Sequence, residues 1–171
     1  DEDIVLGPEM RATGEVMGAS ESAAVAFGKA VLGAGARLPT EGSIFFSLAD
    51  RDKPVGLAAA QALHHMGFEL LATEGTARFL SHYGVPSTTI PKLGKGEGDT
   101  RQRIESGEVS LVVNTPRGGI ARDDGHIIRI AANSRGIPCI TTVQGALAAT
   151  RAMQMSDAVE RDVRSLQDWL A

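Results

Sequence analysis

Small polar residues and lysines follow five short apolar runs of this 171-residue sequence, in each case near the point where the run ends. These residues are Ser47, Lys53, Thr73, Gly75, Thr76, Lys92, Asn114, Thr115, Thr141 and Thr142. If the runs are parallel strands, their ends meet at one edge of a sheet, where open α/β sheets bind ligands. Hydroxyls, lysine ammonium groups and the free N–H groups of a helix start all favour a phosphate. The pattern therefore predicts an anion-binding pocket, to which Asp124 could add a carboxylate.

Each of these residues also has a simpler interpretation. A serine or threonine before a helix is commonly a cap, and a lysine is commonly solvated. Asp124, next to Asp123, precedes a predicted helix and is an ordinary cap by the same reasoning. Only the repetition of one chemistry at five strand ends favours the pocket over these separate roles.

Other kinds of site find little support. The glycine-rich segment 94–99 lacks the G-x-x-x-x-G-K-[ST] pattern of a phosphate-binding loop, and we expect a turn or a lid there. His64 and His65 point about 100° apart on a helix, and the other two histidines lack Cys or Asp at metal-binding spacing, so no metal site is expected. No G-x-S-x-G motif is present, and Cys139 in the middle of an apolar run predicts a buried thiol rather than a nucleophile.

The elements that must position the polar residues alternate regularly after about residue 43. Strands are predicted over 43–49, 68–72, 87–90, 109–113 and 138–142. Helices are predicted over 53–66, 76–83 and 99–105, between Asp124 and Gly136, over 145–155 and over 156–170. Five strand–helix units with short connections predict an α/β fold, namely a doubly wound five-stranded parallel sheet with helices on both faces.

The first 40 residues do not fit this alternation. They are irregular and rich in glycine up to about residue 18, and a helix is predicted over 20–32. Two interpretations stay open from the residues alone. The segment is either an arm packed on the domain or the end of a neighbouring domain.

Composition narrows the functional classes. The formal net charge of −4 argues against a nucleic-acid binder, and no apolar segment reaches the 18 residues that a membrane span needs. A single cysteine cannot form an internal disulfide and suits a reducing compartment, and residues 1–3 lack the basic start of a signal peptide. We therefore expect a cytoplasmic protein.

Several motifs resemble one known family. Residues 6–18, LGPEMRATGEVMG, closely resemble the segment that closes the carbamoyl-phosphate-forming half of the carbamoyl-phosphate synthetase large subunit. The rest resembles that subunit's C-terminal allosteric domain, which has the methylglyoxal-synthase-like fold. The motifs that carry this second resemblance are 47–53, 67–70, 72–77, 114–116 and 137–142. The resemblance implies that residues 1–40 are the tail of the preceding domain with a connecting helix, and that 41–171 are the regulatory domain.

The resemblance also implies a function. In that family the domain does no chemistry and binds regulators, typically UMP and in some members IMP, with ornithine near the junction with the synthetase body. The ATP, Mg and K sites belong to the other domains, and the partners are the rest of the large subunit and the glutaminase small subunit. The intact enzyme makes carbamoyl phosphate from glutamine-derived ammonia, bicarbonate and ATP for pyrimidine and arginine synthesis.

The family's effector site can be transferred residue by residue. Its phosphate-binding residues correspond to Ser47, Lys53, Thr73, Thr76 and Lys92. Its residues toward the base and ribose correspond to Asn114, Asp124 and Thr142.

This sequence also departs from the family at several positions. Pro116 stands where some members carry a threonine that donates to the nucleotide, and Arg117 could supply a compensating cation. Cys139 replaces an aromatic residue that contacts ornithine in some members, which argues against ornithine as an effector.

Two alternatives come from other functional classes. Methylglyoxal synthase shares the 73–76 cradle, the Lys53 position and an aspartate near Asp99 that acts as base. Its partner histidine is missing from 114–124, where Arg122 stands roughly in its place. A docking module without a ligand is the third hypothesis, which the convergent polar groups disfavour.

Overall fold

A five-stranded parallel sheet forms the centre of the molecule. The computed structural model describes residues 16–91, 93–94, 96, 98–115 and 119–170. The strands are β1 (Ser43–Leu48), β2 (Glu69–Thr73), β3 (Thr88–Ile90), β4 (Val109–Thr115) and β5 (Cys139–Ile140). Their order is β3-β2-β1-β4-β5, and every neighbouring pair is parallel. The predicted α/β fold is therefore confirmed, with the reversal of strand order between β1 and β4.

Helices cover both faces of this sheet, as the doubly wound prediction requires. They are α1 (Ala23–Gly33), α2 (Lys53–His65), α3 (Glu74–His82), α4 (Thr100–Glu105), α5 (Gly119–Ser134), α6 (Val143–Gln154), α7 (Ser156–Arg161) and α8 (Leu166–Leu170). Ile44 and Phe46 face a core shared with α2, α3 and α6, whereas Phe45 faces a second core shared with α4 and α5. All three side chains are fully buried, because β1 lies between two strands and two helical layers.

Several boundaries differ from the sequence prediction. Residues 156–170 do not form one helix. They form α7 and α8, separated by residues 162–165, and the Asp162 carboxylate accepts from Lys29 Nζ at 3.0 Å. The following helix has its own start, because Ser165 and Asp168 exchange backbone and side-chain hydrogen bonds as a capping pair. The prediction of a single last helix was wrong for that reason.

The other differences lie in β4, α5 and β5, where α5 connects β4 to β5. The helix that was predicted to follow Asp124 starts at Gly119. Strand β5 has only two residues, and Cys139 is half-buried rather than buried because an edge strand is covered less completely. Strand β4 extends through Thr115, so Asn114 and Thr115 belong to the strand and pair with Ser47 and Leu48 of β1.

Helix α1 packs closely against α6 and α7. A Cβ atom on Gly28 would lie 2.6 Å from Val159 Cγ2 and 3.3 Å from Ala152 Cβ, so glycine is what allows this approach. The ion pair of Lys29 with Asp162 closes the same contact. The division of the chain at residue 40 stays a prediction, and most of the 6–18 motif lies outside the described residues.

No described helix has the length and apolar character that a membrane crossing would require.

Gly28→Ala tests the α1–α7 contact. The substitution should destabilise the protein by about 1 kcal/mol, because overpacking outweighs the helix propensity that alanine contributes. In a Val159→Ala background the added methyl has room, and the same change should stabilise by up to about 1 kcal/mol. Urea denaturation of the single and double variants measures both values. Gly33→Ala is the control, since its Cβ would make only an ordinary contact with Val16 at 3.5 Å. Equal destabilisation by Gly28→Ala in both backgrounds would rule out the Val159 contact as the cause.

Candidate functional site

A cavity of about 220 Å³ opens at the carboxyl ends of β1, β2 and β4. Most of the residues predicted for the anion pocket line it, namely Ser47, Lys53, Thr73, Gly75, Thr76, Asn114, Thr115 and Asp124. Thr141 and Thr142 do not line it. Thr142 instead caps α6, where its hydroxyl accepts from Gly145 N at 3.1 Å. We call this cavity the β-edge pocket.

Some of the predicted positions cannot be compared with the structure. Lys92, Pro116 and Arg117 lie outside the described residues, as does the side chain of Arg122. Their roles stay predictions.

The first turn of α3 forms one wall of the β-edge pocket. Helix α3 begins directly after β2, with Thr73 in extended conformation at its N-cap. The Thr73 side chain does not cap the helix and donates to Thr76 Oγ1 at 3.3 Å. Thr76 Oγ1 also accepts from Leu48 N at 3.0 Å, which ties α3 to the end of β1. The cap side chain therefore leaves the first-turn N–H groups to an anion, which the helix dipole also favours.

Lys53 brings a positive charge to the same helix start. Its side chain is only 14% exposed, and a Cβ atom built on Gly75 would lie 3.5 Å from Lys53 Nζ. The ammonium group therefore lies beside the bare backbone of Gly75. Lys53 Nζ donates to Asp50 Oδ1 at 2.5 Å, and this hydrogen bond lowers the pKa of Asp50 below its usual value.

The inner wall carries a polar side chain without a partner. Asn114 is only 2% exposed, and among the described residues its Nδ2 has no hydrogen-bond partner. Its neighbour Thr115 is occupied, because Thr115 Oγ1 accepts from Ala49 N at 3.1 Å. A buried donor without an acceptor costs about 1–3 kcal/mol, which a ligand atom at this position would recover. Asp124, half-buried, adds an acceptor to the same pocket.

Asp99 plays a structural part next to the site. It caps α4, accepts from Gln102 N at 3.0 Å and Gly94 N at 2.8 Å, and does not line the β-edge pocket. Burial alone would raise the pKa of Asp99, but hydrogen bonds from the backbone of Gln102, Gly94 and Arg101 outweigh it and hold the pKa below its usual value. This carboxylate is therefore already committed as an acceptor.

The sequence reasoning missed part of the lining. The residues that it did not assign are Leu48, Ala49, Asp50, Leu93, Thr100, Gly125 and Ile128. Asp50 had a signal, since an acid three residues before Lys53 can reach its ammonium group. Thr100 lies next to the Asp99 cap and its hydroxyl donates to Pro91 O at 3.1 Å. The apolar residues carry no signal, because their burial in the wall depends on the folded sheet. Within the described part of the chain, no cluster of His, Cys, Asp or Glu could hold a metal ion.

Comparison with known families agrees with this fold. The family model described as "MGS-like domain" matches residues 56–141, which carry β2 to β5 and most of the residues that line the pocket. The chain belongs to the MGS-like domain family. The resemblance inferred from the motifs is thus confirmed, together with the α/β fold that it implies.

Similar proteins in curated collections carry this domain within much longer chains. A carbamoyl phosphate synthase large chain of Rubrobacter xylanophilus is 46% identical over 170 residues, which is 99% of this chain and 16% of the relative. Proteins of the same name from Rhodopirellula baltica and Streptomyces coelicolor are 47% and 44% identical, covering 96% and 99% of this chain. This MGS-like chain spans about a sixth of the length of these relatives.

The Asp99 cap generates a pH prediction. Because the folded pKa of Asp99 is lowered, its stabilisation is present above the unfolded value of about 3.9 and is lost as the pH falls through the folded pKa. Asp99→Asn should therefore lower the free energy of unfolding at pH 7, and its difference from wild type should shrink below about pH 4.

Denaturant titrations between pH 2.5 and 7 measure this difference. Glu41→Gln, an exposed carboxyl in a loop, is the control and should change stability by under about 0.5 kcal/mol. A difference between Asp99→Asn and wild type that stays constant over the whole pH range would contradict the assignment.

Proposed function

We propose that this chain is the regulatory domain of a carbamoyl phosphate synthase large chain, and that it binds a nucleoside monophosphate in the β-edge pocket. UMP is the first candidate effector and IMP the second. The observation that carries the proposal is that one cavity holds a helix start, a largely buried lysine and an asparagine whose Nδ2 has no partner among the described residues. The match to the MGS-like domain family and the relatives named carbamoyl phosphate synthase large chain support the first part of this proposal, the assignment to that larger protein.

The phosphate is assigned to the outer part of the pocket. The backbone at Gly75 and Thr76 offers N–H donors at the helix start, and Lys53 Nζ lies next to Gly75. Each hydrogen bond to a charged group contributes roughly 1.5–3 kcal/mol, and the partial burial of Lys53 reduces screening by salt. Lys92, placed after β3, is a further candidate cation.

The nucleoside is assigned to the inner part. Asn114 Nδ2 supplies a donor for a base or ribose oxygen, and Asp124 supplies an acceptor. Leu48, Leu93 and Ile128 offer apolar surface in the same cavity. A site that combines an anion seat with a donor, an acceptor and apolar surface suits a nucleotide better than an inorganic anion.

Regulation requires more than binding. An effector shifts the activity of the intact enzyme only by its differential affinity for two states, typically by about 1–3 kcal/mol. In the proposed setting the rest of the large subunit and the glutaminase small subunit respond to that shift. In this proposal the ATP, Mg and K sites belong to the other domains of the large subunit. The product, carbamoyl phosphate, is used in pyrimidine and arginine synthesis.

Two features weigh against a methylglyoxal-synthase-type reaction at this site. Asp99, the candidate base, has a lowered pKa and already accepts two backbone hydrogen bonds, so it is a poor proton acceptor. Segment 114–124 has no histidine to act as the acid. A ligand-free docking module leaves Asn114 unexplained.

Titration of UMP by calorimetry tests the phosphate seat. Lys53→Met should weaken UMP binding about tenfold or more, because it removes a charge-assisted hydrogen bond. Uridine, which lacks the phosphate, should bind far more weakly than UMP. Arg135→Met is the matched control, because it loses the same charge from an exposed side chain at the C-terminal end of α5 and should bind UMP like wild type. Equal affinity of wild type and Lys53→Met would mean that the phosphate does not bind at Lys53. Binding of uridine as tight as that of UMP would refute the proposal that the pocket binds a phosphate.

Asn114→Leu separates stability from binding. Removal of the buried unpartnered donor should raise the free energy of unfolding of the ligand-free protein by about 1 kcal/mol. The rise in Tm on adding UMP should become smaller, because the nucleoside loses its donor. Thermal unfolding with and without UMP measures both effects. Asn133→Leu, an exposed asparagine of α5, should show neither. A loss of stability with unchanged UMP binding would contradict the assignment of Asn114.

A further inference from the structure

An acidic side chain occupies the mouth of the proposed anion seat. Asp50 Oδ1 accepts from Lys53 Nζ at 2.5 Å, and both residues line the β-edge pocket. The two partners differ in their surroundings, since the side chain of Asp50 is 95% exposed and that of Lys53 14% exposed. In the ligand-free protein, the ammonium group of Lys53 is therefore already paired with a carboxylate.

A phosphate that reaches Lys53 Nζ comes close to the Asp50 carboxylate as well. Two anions on one ammonium group repel each other at the separation that this geometry imposes. Either the phosphate binds against this repulsion or the Asp50 side chain leaves. In both cases Asp50 makes binding less favourable than a neutral residue would.

The backbone of Lys53 is held in place without the Asp50 side chain. The short 3-10 turn Asp50–Asp52 is closed by backbone bonds, in which Asp52 N and Lys53 N donate to Ala49 O at 2.9 and 3.2 Å. Lys53 is the first residue of α2, and its ammonium lies next to Gly75 of α3. The turn and the helix therefore fix the backbone of Lys53 without the Asp50 side chain, which bonds the ammonium group at the far end of the lysine.

The Asp50 carboxylate also has alternative surroundings in which it can lie after the ion pair opens. Its high exposure means that water can solvate it once the ion pair opens. A neighbouring groove, which shares Asp50, Lys53 and Gly75 with the pocket, is lined by Arg78 and His82. Displacement of the carboxylate toward this groove keeps it near the guanidinium group of Arg78, which also pairs with Glu74.

Resting on the proposed function, we propose that Asp50 is a built-in competitor for Lys53. It lowers the affinity of the β-edge pocket for a phosphate-bearing effector, and the effector displaces it on binding. The residue thereby raises the effector concentration at which the pocket fills.

The test is a set of UMP titrations at constant salt. Asp50→Asn should bind UMP about twofold to fivefold more tightly than wild type, the range that exposed ion pairs provide. Glu41→Gln is the matched control, since it removes a negative charge at the opposite, amino-terminal edge of β1 and should leave the affinity unchanged. In a Lys53→Met background, Asp50→Asn should produce no gain, because the shared partner is absent.

The outcomes separate this inference from the proposed function. If wild type binds UMP and Asp50→Asn binds equally or more weakly, the competition is refuted while the nucleotide site stands. If Asp50→Asn gives the same gain with and without Lys53, the carboxylate acts through its general field and the competition is again refuted. If wild type, Asp50→Asn and Glu41→Gln all fail to bind UMP, the proposed function fails, and the inference falls with it.

Discussion

The parallel pairing of β1 with β2 on one side and β4 on the other is the constraint on which the pocket depends. Ile44, Phe45 and Phe46 are fully buried between the two helical layers, so a shift of one residue would move each side chain to the wrong face. This register places Ser47 beside Asn114 at the end of the sheet. The site is thus a consequence of core packing several residues away.

Much of this arrangement could be predicted from the sequence, where the physical signal is local. Helix α2 begins with Lys53-Pro54 and ends before Gly67, as the start and stop residues indicated. The convergence of Thr73, Thr76 and Asn114 was predicted from their positions at or after the ends of parallel strands. Their role in binding stays a prediction, but their proximity needed no knowledge of individual contacts.

The remaining features depend on contacts between distant residues, which periodicity does not encode. The Asp162 carboxylate directly after α7 bonds Lys29, which is far away in sequence. Thr142 has the same residue type as the pocket threonines, but its hydroxyl is used by Gly145 N. Whether a polar group already has a hydrogen-bond partner depends on the residues that surround it in the folded protein. For this reason the lack of a described partner for Asn114 Nδ2 is visible only in the structure.

The hydrogen bonds of the Thr76 and Thr115 hydroxyls limit which residues can replace these two threonines during evolution. They accept from Leu48 N and Ala49 N, so two consecutive amides at the end of the central strand are held by side-chain hydroxyls rather than by backbone carbonyls. Valine has the same shape but would leave each amide without this acceptor. Related chains should therefore exchange these threonines mainly with serine. A new effector preference in this fold therefore has to evolve through the other residues that line the pocket, because these two threonines also accept hydrogen bonds from the backbone.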